Sequence, residues 1–556
     1  MNHNSAAKTE PKRSAWVSCI LPYLMAIWFC LAILQGSPTN IPPILVLLKT
    51  IALSLLCVGV LHAIVYTIIR KSPTAELVVL VIVAFFGPMG SLANMAVPKI
   101  GAIGFFAVWI AIQAALGVLF IFAREKFVNG LVPVMLFAIA LTVGFQVIGI
   151  GLPVVSDYRH LGELNSNLLD RDPLREIKPQ LSQNEKPDIY YIIVDAYARQ
   201  DVLSEVYDFD NKPFVDELRR LGFFVGDESR SNYHLTELSL ASSLNLTHLD
   251  ELGLDQFQTR APIREMISNS SVFRFLKRMG YETVSLETGK SDTECKNFDQ
   301  HVGFGKGLDD YQDVLFHSSA GPSFVDMTDG MIRSAARRHG DRVVSALESV
   351  PNVVDAQSKP TFVFSHLLSP HPPYVFDADG NEVDFHGHYL LADGCSFTEC
   401  FDYDLEIYRQ TYRDQVQFIN KKLLEMIAQI QAKDRESIII IQGDHGPRLG
   451  FSGKPSTQVG ETSPTGVSDP NMRYREGFSI LNAIYMAGKS NSHFYREMSP
   501  VNTFRLIFND VFGAELKRVP DESFFEDSYD FRNMTTQALP LNTSADWQTA
   551  ITQNHN

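Results

Sequence analysis

Hydrophobic residues concentrate in the first 155 positions of the chain, where they form five long apolar stretches. Each stretch has about 20 residues or more, which is the length that a helix needs to cross a bilayer, and Lys49 is the only charged residue within them. The first stretch is too long for a signal peptide and lacks a small-residue cleavage site. We therefore expect five transmembrane helices, at residues 15–34, 44–69, 77–97, 100–122 and 131–155.

Beyond residue 155 the pattern changes to short apolar runs with helical patterns between them. Three runs are rich in β-branched and aromatic residues, which is typical of buried parallel strands: Asp188–Val194, Thr361–Phe364 and Ser437–Gln442. Acids or histidines follow each run, namely Asp195, then His366 and His371, then Asp444 and His445. Parallel sheets bind ligands at the carboxyl ends of their strands. The pattern therefore predicts an α/β domain in which these side chains converge at one edge, as a metal site requires.

These patterns divide the chain into five regions. They are an N-terminal arm at 1–14, a membrane domain of five helices at 15–155, a juxtamembrane linker at 156–187, a globular domain at 188–534 and a disordered polar tail at 535–556. Within the linker, a short helix on the membrane surface is predicted near residues 161–169.

Basic residues set the expected orientation. Lys8, Lys12, Arg13, Arg70, Lys71, Arg124 and Lys126 lie in the N-terminal arm and alternate loops, whereas the opposite loops contain only Lys99. The positive-inside rule places the N-terminus in the cytoplasm of a multi-pass inner-membrane protein. An odd number of crossings then places the globular domain in the periplasm or outside the cell.

The net charge limits the classes of binding partner, and two cysteines suggest a disulfide. The net charge of −15 argues against nucleic acid, and a domain held at a membrane surface would meet lipid-linked substrates. We expect a monomer. In an oxidising compartment Cys395 and Cys400 would form a disulfide, although zinc binding by this pair is an alternative.

Thr236 precedes a predicted helix at Glu237–Leu246, which places it at the helix N-cap. A threonine there is usually only a cap. The alternative is chemical, because the free N–H groups and partial positive charge of a helix N-terminus suit a phosphate or a developing alkoxide.

Taken in order, these motifs resemble a known superfamily. An acid after the first strand, Thr236-x-x-Ser239, His366-x4-His371-x-Pro373 and Gly443-Asp-His-Gly446 resemble the alkaline-phosphatase/sulfatase superfamily. Together with the five spans, they resemble lipoteichoic acid synthases and lipid A phosphoethanolamine transferases. The resemblance implies an α/β alkaline-phosphatase/sulfatase-like catalytic domain with a largely parallel central sheet.

The resemblance also implies roles for individual residues. Asp195, Thr236, Asp444 and His445 would be the metal ligands, Thr236 the nucleophile and His371 a phosphate-binding residue. His366 matches a second family histidine, with either a substrate-binding or a structural role. The family commonly has Glu where this chain has Asp195. Such an N/O ligand set suits one divalent ion, Zn²⁺ or Mn²⁺, which lowers the pKa of a bound oxygen acid and so favours a phosphothreonine intermediate.

Several functions remain open at this point. The resemblance favours a transferase that moves a phosphoglycerol- or phosphoethanolamine-type group from a phospholipid donor to an envelope glycan or lipid. A sulfate-ester or phosphodiester hydrolase is an alternative, although the Cys/Ser-x-Pro-x-Arg signature of sulfatases is missing at Thr236. A catalytically silent membrane sensor is another. The family's histidine after Asp-His-Gly is absent, so Arg448 is the candidate for anion binding there.

Overall fold

The computed structural model describes most of the chain. The described residues are 18–35, 41–70, 74–178, 186–249, 252, 254–305, 308–321, 335–354, 359–383, 405–433, 436–447, 470–525 and 537–539. The described residues within 1–155 and 311–332 form one compact unit, and the described residues within 156–310 and 333–556 form another.

The first unit is helical and apolar. Its helices are α1 (Leu21–Gln35), α2 (Ile44–Ile69), α3 (Thr74–Phe86), α4 (Met89–Ile100), α5 (Ala102–Phe122) and the first part of α6 (Glu125–Asp170). By length and composition, three described helices could cross a membrane: α2, α5 and α6. Helices α1 and α3 are apolar but shorter, so the structure does not confirm the predicted count of five.

The predicted span at 77–97 is not one helix. It is interrupted at Gly87 and Pro88, between α3 and α4. Proline has no N–H for helical hydrogen bonding, and Gly87 permits close packing, since a Cβ there would lie 2.7 Å from the ring of Phe29. Hydrophobicity alone does not detect this interruption because both halves are apolar.

The structure places two segments differently from the sequence-based prediction. Residues 311–321, expected in the globular domain, join the first unit. There the Tyr311 hydroxyl donates to the Cys30 carbonyl at 2.8 Å, and Gln312 Nε2 donates to Thr50 Oγ1 at 3.0 Å. These contacts lie on helix α12 (Asp310–Ser318).

In the predicted linker at 156–187, the helix expected at 161–169 is present, but it is part of a longer helix and is packed in a core. Residues 156–170 continue helix α6, and Leu164, Leu168 and Leu174 are buried in the core of the second unit. Asp157 accepts hydrogen bonds from the backbone N–H and the hydroxyl of Thr259. The helical spacing of the leucines directs one face of this segment into the core, so it is not a free spacer.

The second unit is built on a seven-stranded sheet. Its strands are β1 (Asp188–Val194), β2 (Phe224–Val225), β3 (Glu282–Leu286), β4 (Gln300–Val302), β5 (Thr361–Leu367), β6 (Ser437–Gln442) and β7 (Asn482–Met486), in the order β2-β7-β6-β1-β5-β3-β4. Strands β6, β1, β5, β3 and β4 are parallel, and β7 and β2 pair antiparallel. The predicted largely parallel sheet is confirmed.

Helices cover both faces of this sheet. They are α7 (Gln200–Tyr207), α8 (Lys212–Arg220), α9 (Thr236–Asn245), α10 (Ala261–Ser268), α11 (Ser271–Arg278), α13 (Ala335–Ser349), α14 (Leu405–Gln431), α15 (Pro470–Phe478) and α16 (Pro500–Phe512). Alternate residues of β1 enter two hydrophobic cores, Tyr191 on one face and Tyr190 on the other. Burial on both faces explains why this strand is a continuous apolar run.

The predicted disordered tail at 535–556 contains a short strand. Strand β9 (Gln537–Leu539) pairs antiparallel with β8 (Ser523–Phe525). The prediction is therefore wrong at these three residues, where backbone pairing with β8 replaces hydration. The rest of the predicted tail lies outside the described residues.

Candidate active site

Two carboxylates and an imidazole meet at the carboxyl edge of the sheet. Asp195 follows β1, and Asp444 and His445 follow β6, the strand that pairs with β1 in parallel. Because parallel neighbours end at the same edge, the three side chains converge. Their candidate ligand atoms all lie within 4.8 Å of one another, and each residue is at most 1% exposed. The structure thus brings together three of the predicted site residues.

Several carboxylate oxygens of this cluster have no hydrogen-bond partner among the described residues. His445 Nε2 lies 3.4 Å from Asp195 Oδ1 and 3.6 Å from Asp444 Oδ2, without the alignment of hydrogen bonds. Both oxygens of Asp195 and Oδ2 of Asp444 are buried without a hydrogen-bond partner among the described residues. Such groups are costly unless something else satisfies them, and a divalent cation among these N and O donors would do so.

The ionisation of Asp195 fits the same role. Burial by itself would raise the pKa of this carboxyl. The nearby imidazoles of His371, His366 and His445 outweigh burial and hold the pKa well below its ordinary value. Asp195 is therefore a carboxylate at neutral pH, which is the form that binds a metal.

His445 is oriented by the glycine that follows it. Its Nδ1 donates to the carbonyl oxygen of Gly446 at 2.7 Å, which leaves the lone pair of Nε2 available toward the cluster. Metal-binding histidines are commonly held in this way through their other ring nitrogen. The same Nε2 lies 3.3 Å from Oγ1 of Thr236, so the threonine hydroxyl adjoins the cluster.

Thr236 is not the cap of its helix. Helix α9 begins at Thr236, and the N-cap is Leu235, whose backbone is extended at φ −114° and ψ 132°. No side chain makes a capping hydrogen bond there. The predicted cap position is therefore wrong by one residue. Because Thr236 is already helical, its hydroxyl is directed toward His445 at the positive end of a buried helix.

His366 lies near the end of β5 and His371 lies just after it, and their surroundings differ. His366 is fully buried, with Nε2 3.3 Å from Asp195 Oδ2 and Nδ1 2.9 Å from the hydroxyl of Thr293. His366 contacts Asp195, a candidate metal ligand. This contact favours a structural role for His366 over a substrate-binding one. His371 is only partly buried, and its ring centroid lies 6.1 Å from that of His445. This placement suits contact with a substrate.

The remaining candidates are either not described or paired elsewhere. Arg448, Cys395 and Cys400 lie outside the described residues, so the anion-binding and disulfide predictions remain predictions. Two further acids after β1, Asp201 and Glu205, form ion pairs with Arg475 at 2.6 and 2.5 Å.

The groups that surround the cluster were not predicted from the sequence. Thr293, which bonds His366, lies in a loop without a recognisable motif. Glu237, the residue after Thr236, is buried and pairs with Arg260 at 2.9 Å, and Asp292 pairs with Arg264 at 3.0 Å. An acid beside a helix start was the only available signal, and it equally fits an exposed first turn.

The chain belongs to the sulfatase family, whose sequence pattern it matches over residues 187–475. The chain is accordingly an enzyme of the alkaline-phosphatase/sulfatase superfamily. The match begins just before β1 and extends into α15, so it contains Asp195, Thr236, Asp444 and His445. No match was found among curated proteins.

Solved structures give more distant similarities. The C-terminal periplasmic domain of EcEptC from Escherichia coli, in complex with zinc, is 14% identical, covers 65% of this chain and 96% of its own, and gives a TM-score of 0.41. Lipooligosaccharide phosphoethanolamine transferase A from Neisseria meningitidis, an integral membrane protein, is 12% identical, covers 90% of this chain and 94% of its own, and gives a TM-score of 0.37. The family assignment rests on the sequence match.

Proposed function

We propose that this protein is a metal-dependent membrane transferase that moves a phosphoglycerol- or phosphoethanolamine-type group from a phospholipid to an envelope glycan or lipid. The observation that supports it best is the contact of the Thr236 hydroxyl with His445, at the start of a buried helix. Beside it, both oxygens of Asp195 and Oδ2 of Asp444 have no hydrogen-bond partner among the described residues. The apolar helices of the first unit would hold the site near lipid substrates. The catalytic domain would lie in the periplasm.

The four proposed ligands are Asp195, Thr236, Asp444 and His445, with one Zn²⁺ or Mn²⁺. When bound, the ion lowers the pKa of the threonine hydroxyl. Thr236 Oγ1 then bonds to phosphorus while the bond from phosphorus to the diacylglycerol oxygen breaks, and the diacylglycerol leaves with a proton. His371 binds a phosphate oxygen from the partly exposed side of the site. An acceptor hydroxyl next attacks the same phosphorus, the bond from phosphorus to Thr236 Oγ1 breaks, and the proton of the acceptor hydroxyl returns to Thr236.

The alternative with specific support is hydrolysis of a sulfate or phosphate ester, which family membership allows. Sulfatases use a nucleophile derived from Cys or Ser within Cys/Ser-x-Pro-x-Arg, whereas this chain has Thr236-Glu-Leu-Ser-Leu240. Threonine cannot supply the same modified nucleophile, so we favour phosphoryl chemistry. Water in place of the acceptor alcohol would give phosphodiester hydrolysis at the same site.

Mass spectrometry of the full-length protein incubated with phospholipid vesicles tests the proposal. We expect an adduct on the peptide that contains Thr236, with the mass of phosphoethanolamine or phosphoglycerol. Thr236→Ala should lack it, and Ser239→Ala, which removes another buried hydroxyl of α9, should keep it. Turnover without any adduct on Thr236 would contradict covalent transfer, and absence of both metal and turnover would favour a silent sensor.

A further inference from the structure

A second group of potential metal ligands lies in the helical unit, away from the proposed active site. Cys19 lies two residues before α1, His62 lies two turns before the end of α2, and Glu76 lies in the first turn of α3. Their candidate ligand atoms all lie within 4.8 Å of one another. The three helices pack against one another, so residues far apart in sequence meet at one end of the bundle.

The burial of Glu76 indicates that this group of residues is a ligand-binding site. Its side chain is 1% exposed, and its Oε2 is buried without a hydrogen-bond partner among the described residues. The other oxygen accepts only a weak hydrogen bond from the Cys19 thiol, with an S···O distance of 3.4 Å. Ala75 and Val79 of the same helix and Val58 and Val65 of α2 are buried in the adjoining apolar cluster. An ionisable residue in such surroundings is costly and marks a functional site by default.

His62 is oriented as a metal ligand would be. Its Nδ1 lies 3.3 Å from the hydroxyl of Tyr23, one turn into α1, and the two ring centroids are 5.9 Å apart. Metal-binding histidines are commonly held by an outer partner on one ring nitrogen, which fixes the ring and leaves the other nitrogen for the ion. Tyr23 supplies such a partner within the cluster.

We propose that Cys19, His62 and Glu76 bind a divalent transition metal of the zinc type, which fastens the ends of α1, α2 and α3. Thiolate, imidazole and carboxylate are all zinc ligands, and binding releases the thiol proton to solvent. Arg70 lies in the turn after α2, and the positive-inside rule assigns this end to the cytoplasm, where thiols stay reduced. This site is separate from the proposed catalytic cluster, which contains no sulfur.

Cobalt substitution of the purified full-length protein tests the site, because a thiolate bound to Co²⁺ gives charge-transfer absorption that oxygen and nitrogen ligands do not. We expect this band in the wild type and in the double variant Asp444→Asn, His445→Gln. Cys19→Ser should abolish it. The matched control is Cys57→Ser, which changes an exposed cysteine of α2 and should leave the band intact.

Two results would overturn the proposal: a wild type without the band, or a band that survives Cys19→Ser. Glu76→Gln keeps the thiol and nearly the same shape, and titration with Co²⁺ should show weaker binding by this variant. Unchanged affinity in Glu76→Gln would also contradict the site. Far-UV circular dichroism and monodisperse elution establish that each variant is folded, so that loss of the band reports lost ligation.

Discussion

The side chain of Thr236 is buried and makes no capping hydrogen bond, so its hydroxyl is available for chemistry. Thr236→Val keeps the branched shape and removes only the hydroxyl. We expect a folded protein without group-transfer activity, because the helix does not lose the capping energy of about 0.5–2 kcal/mol that a true cap supplies. Thr236→Ser should retain measurable activity. Activity assays with thermal unfolding check both variants, and an active Val variant would exclude Thr236 as the nucleophile.

His366 is expected to position Asp195 for metal binding. Its imidazole lies between Asp195 and the Thr293 hydroxyl, so His366→Gln should weaken metal binding by about 10–100-fold, as loss of outer partners of metal ligands usually does. Activity should recover at high metal concentration. His493→Gln, which changes a more exposed histidine paired with Asp510, is the control. Equal metal affinities in wild type and His366→Gln would show that the contact is incidental.

The identity of the central site residues was predictable, but their orientation was not. Asp195, Asp444 and His445 follow apolar runs that can only be buried strands, and parallel strands bring their ends together. The role of His366 depends on the direction of its ring and on Thr293, a residue 73 positions away. Periodicity carries no information about such a long-range pair. The start of α9 was misplaced by one residue because Thr is a good N-cap by composition, whereas Leu235 is not.

At the scale of elements, the loop after β6 depends on two glycines. A Cβ at Gly446 would lie 1.9 Å from the carbonyl oxygen of Glu476, and one at Gly443 would lie 2.9 Å from the carbonyl oxygen of Tyr197. Both contacts are with backbone, which cannot rotate away as a side chain can. The glycines of Gly443-Asp-His-Gly446 therefore allow this loop to approach its neighbours closely.

Gly446→Ala should displace the loop and the carbonyl that orients His445. We expect loss of activity and destabilisation of about 1–3 kcal/mol, the usual cost of overpacking. Gly303→Ala is the matched control, because its Cβ would meet Glu287 Oε2 at an ordinary 3.6 Å. Chemical denaturation and activity measurements compare the two. Wild-type activity in Gly446→Ala would mean that the loop tolerates a different backbone path.

Glu294 fastens the loop between β3 and β4, the loop that carries Thr293. Its Oε2 accepts hydrogen bonds from the backbone N–H and hydroxyl of Thr288, and Oε1 lies 2.9 Å from His301 Nε2. Burial alone would raise the pKa of Glu294, but these partners outweigh burial and lower it to about 2. The folded state thus prefers the ionised carboxylate.

This preference makes the free energy of unfolding depend on pH. Because the folded pKa lies below the usual value of 4.5, the stabilisation is present above about pH 4.5 and is lost as pH falls toward 2. Glu294→Gln should be less stable than wild type at neutral pH, and the difference should shrink over that window. Denaturation at several pH values measures it, with Glu382→Gln, the exposed partner of Arg337, as control. A constant difference across the window would contradict this role.

At the scale of the whole molecule, the sequence predicted two parts but not their exact membership. The contrast between long apolar stretches and short apolar runs is a compositional signal, so the division near residue 155 could be predicted from the sequence. The return of residues 311–321 to the helical unit depends on contacts such as Tyr311 with Cys30, 281 positions apart. A local sequence pattern cannot predict a contact between residues so far apart. The burial of Leu164 and Leu168 similarly depends on a core built from later segments.

The number of membrane crossings is the remaining question at this scale. The described part of α1 has 15 residues and α3 has 13, which at 1.5 Å per residue is about 20 Å, less than the roughly 30 Å of a hydrocarbon core. Five crossings require that α1 and α3 each contribute to a membrane-spanning segment. For α1 this segment would include the residues before it, and for α3 it would include α4. Three crossings require only α2, α5 and α6. Both numbers are odd, so both place the catalytic domain opposite the N-terminus.

Two reporter fusions distinguish these arrangements. With a reporter that is active only outside the cytoplasm, we expect activity after Pro187 and none after Lys71, because five crossings return the chain to the cytoplasm after α2 and the basic pair Arg70 and Lys71 favours that side. Activity at both positions would indicate three crossings. An inactive fusion after Pro187, with the fusion protein present at normal abundance, would place the catalytic domain in the cytoplasm and contradict transfer to an envelope acceptor.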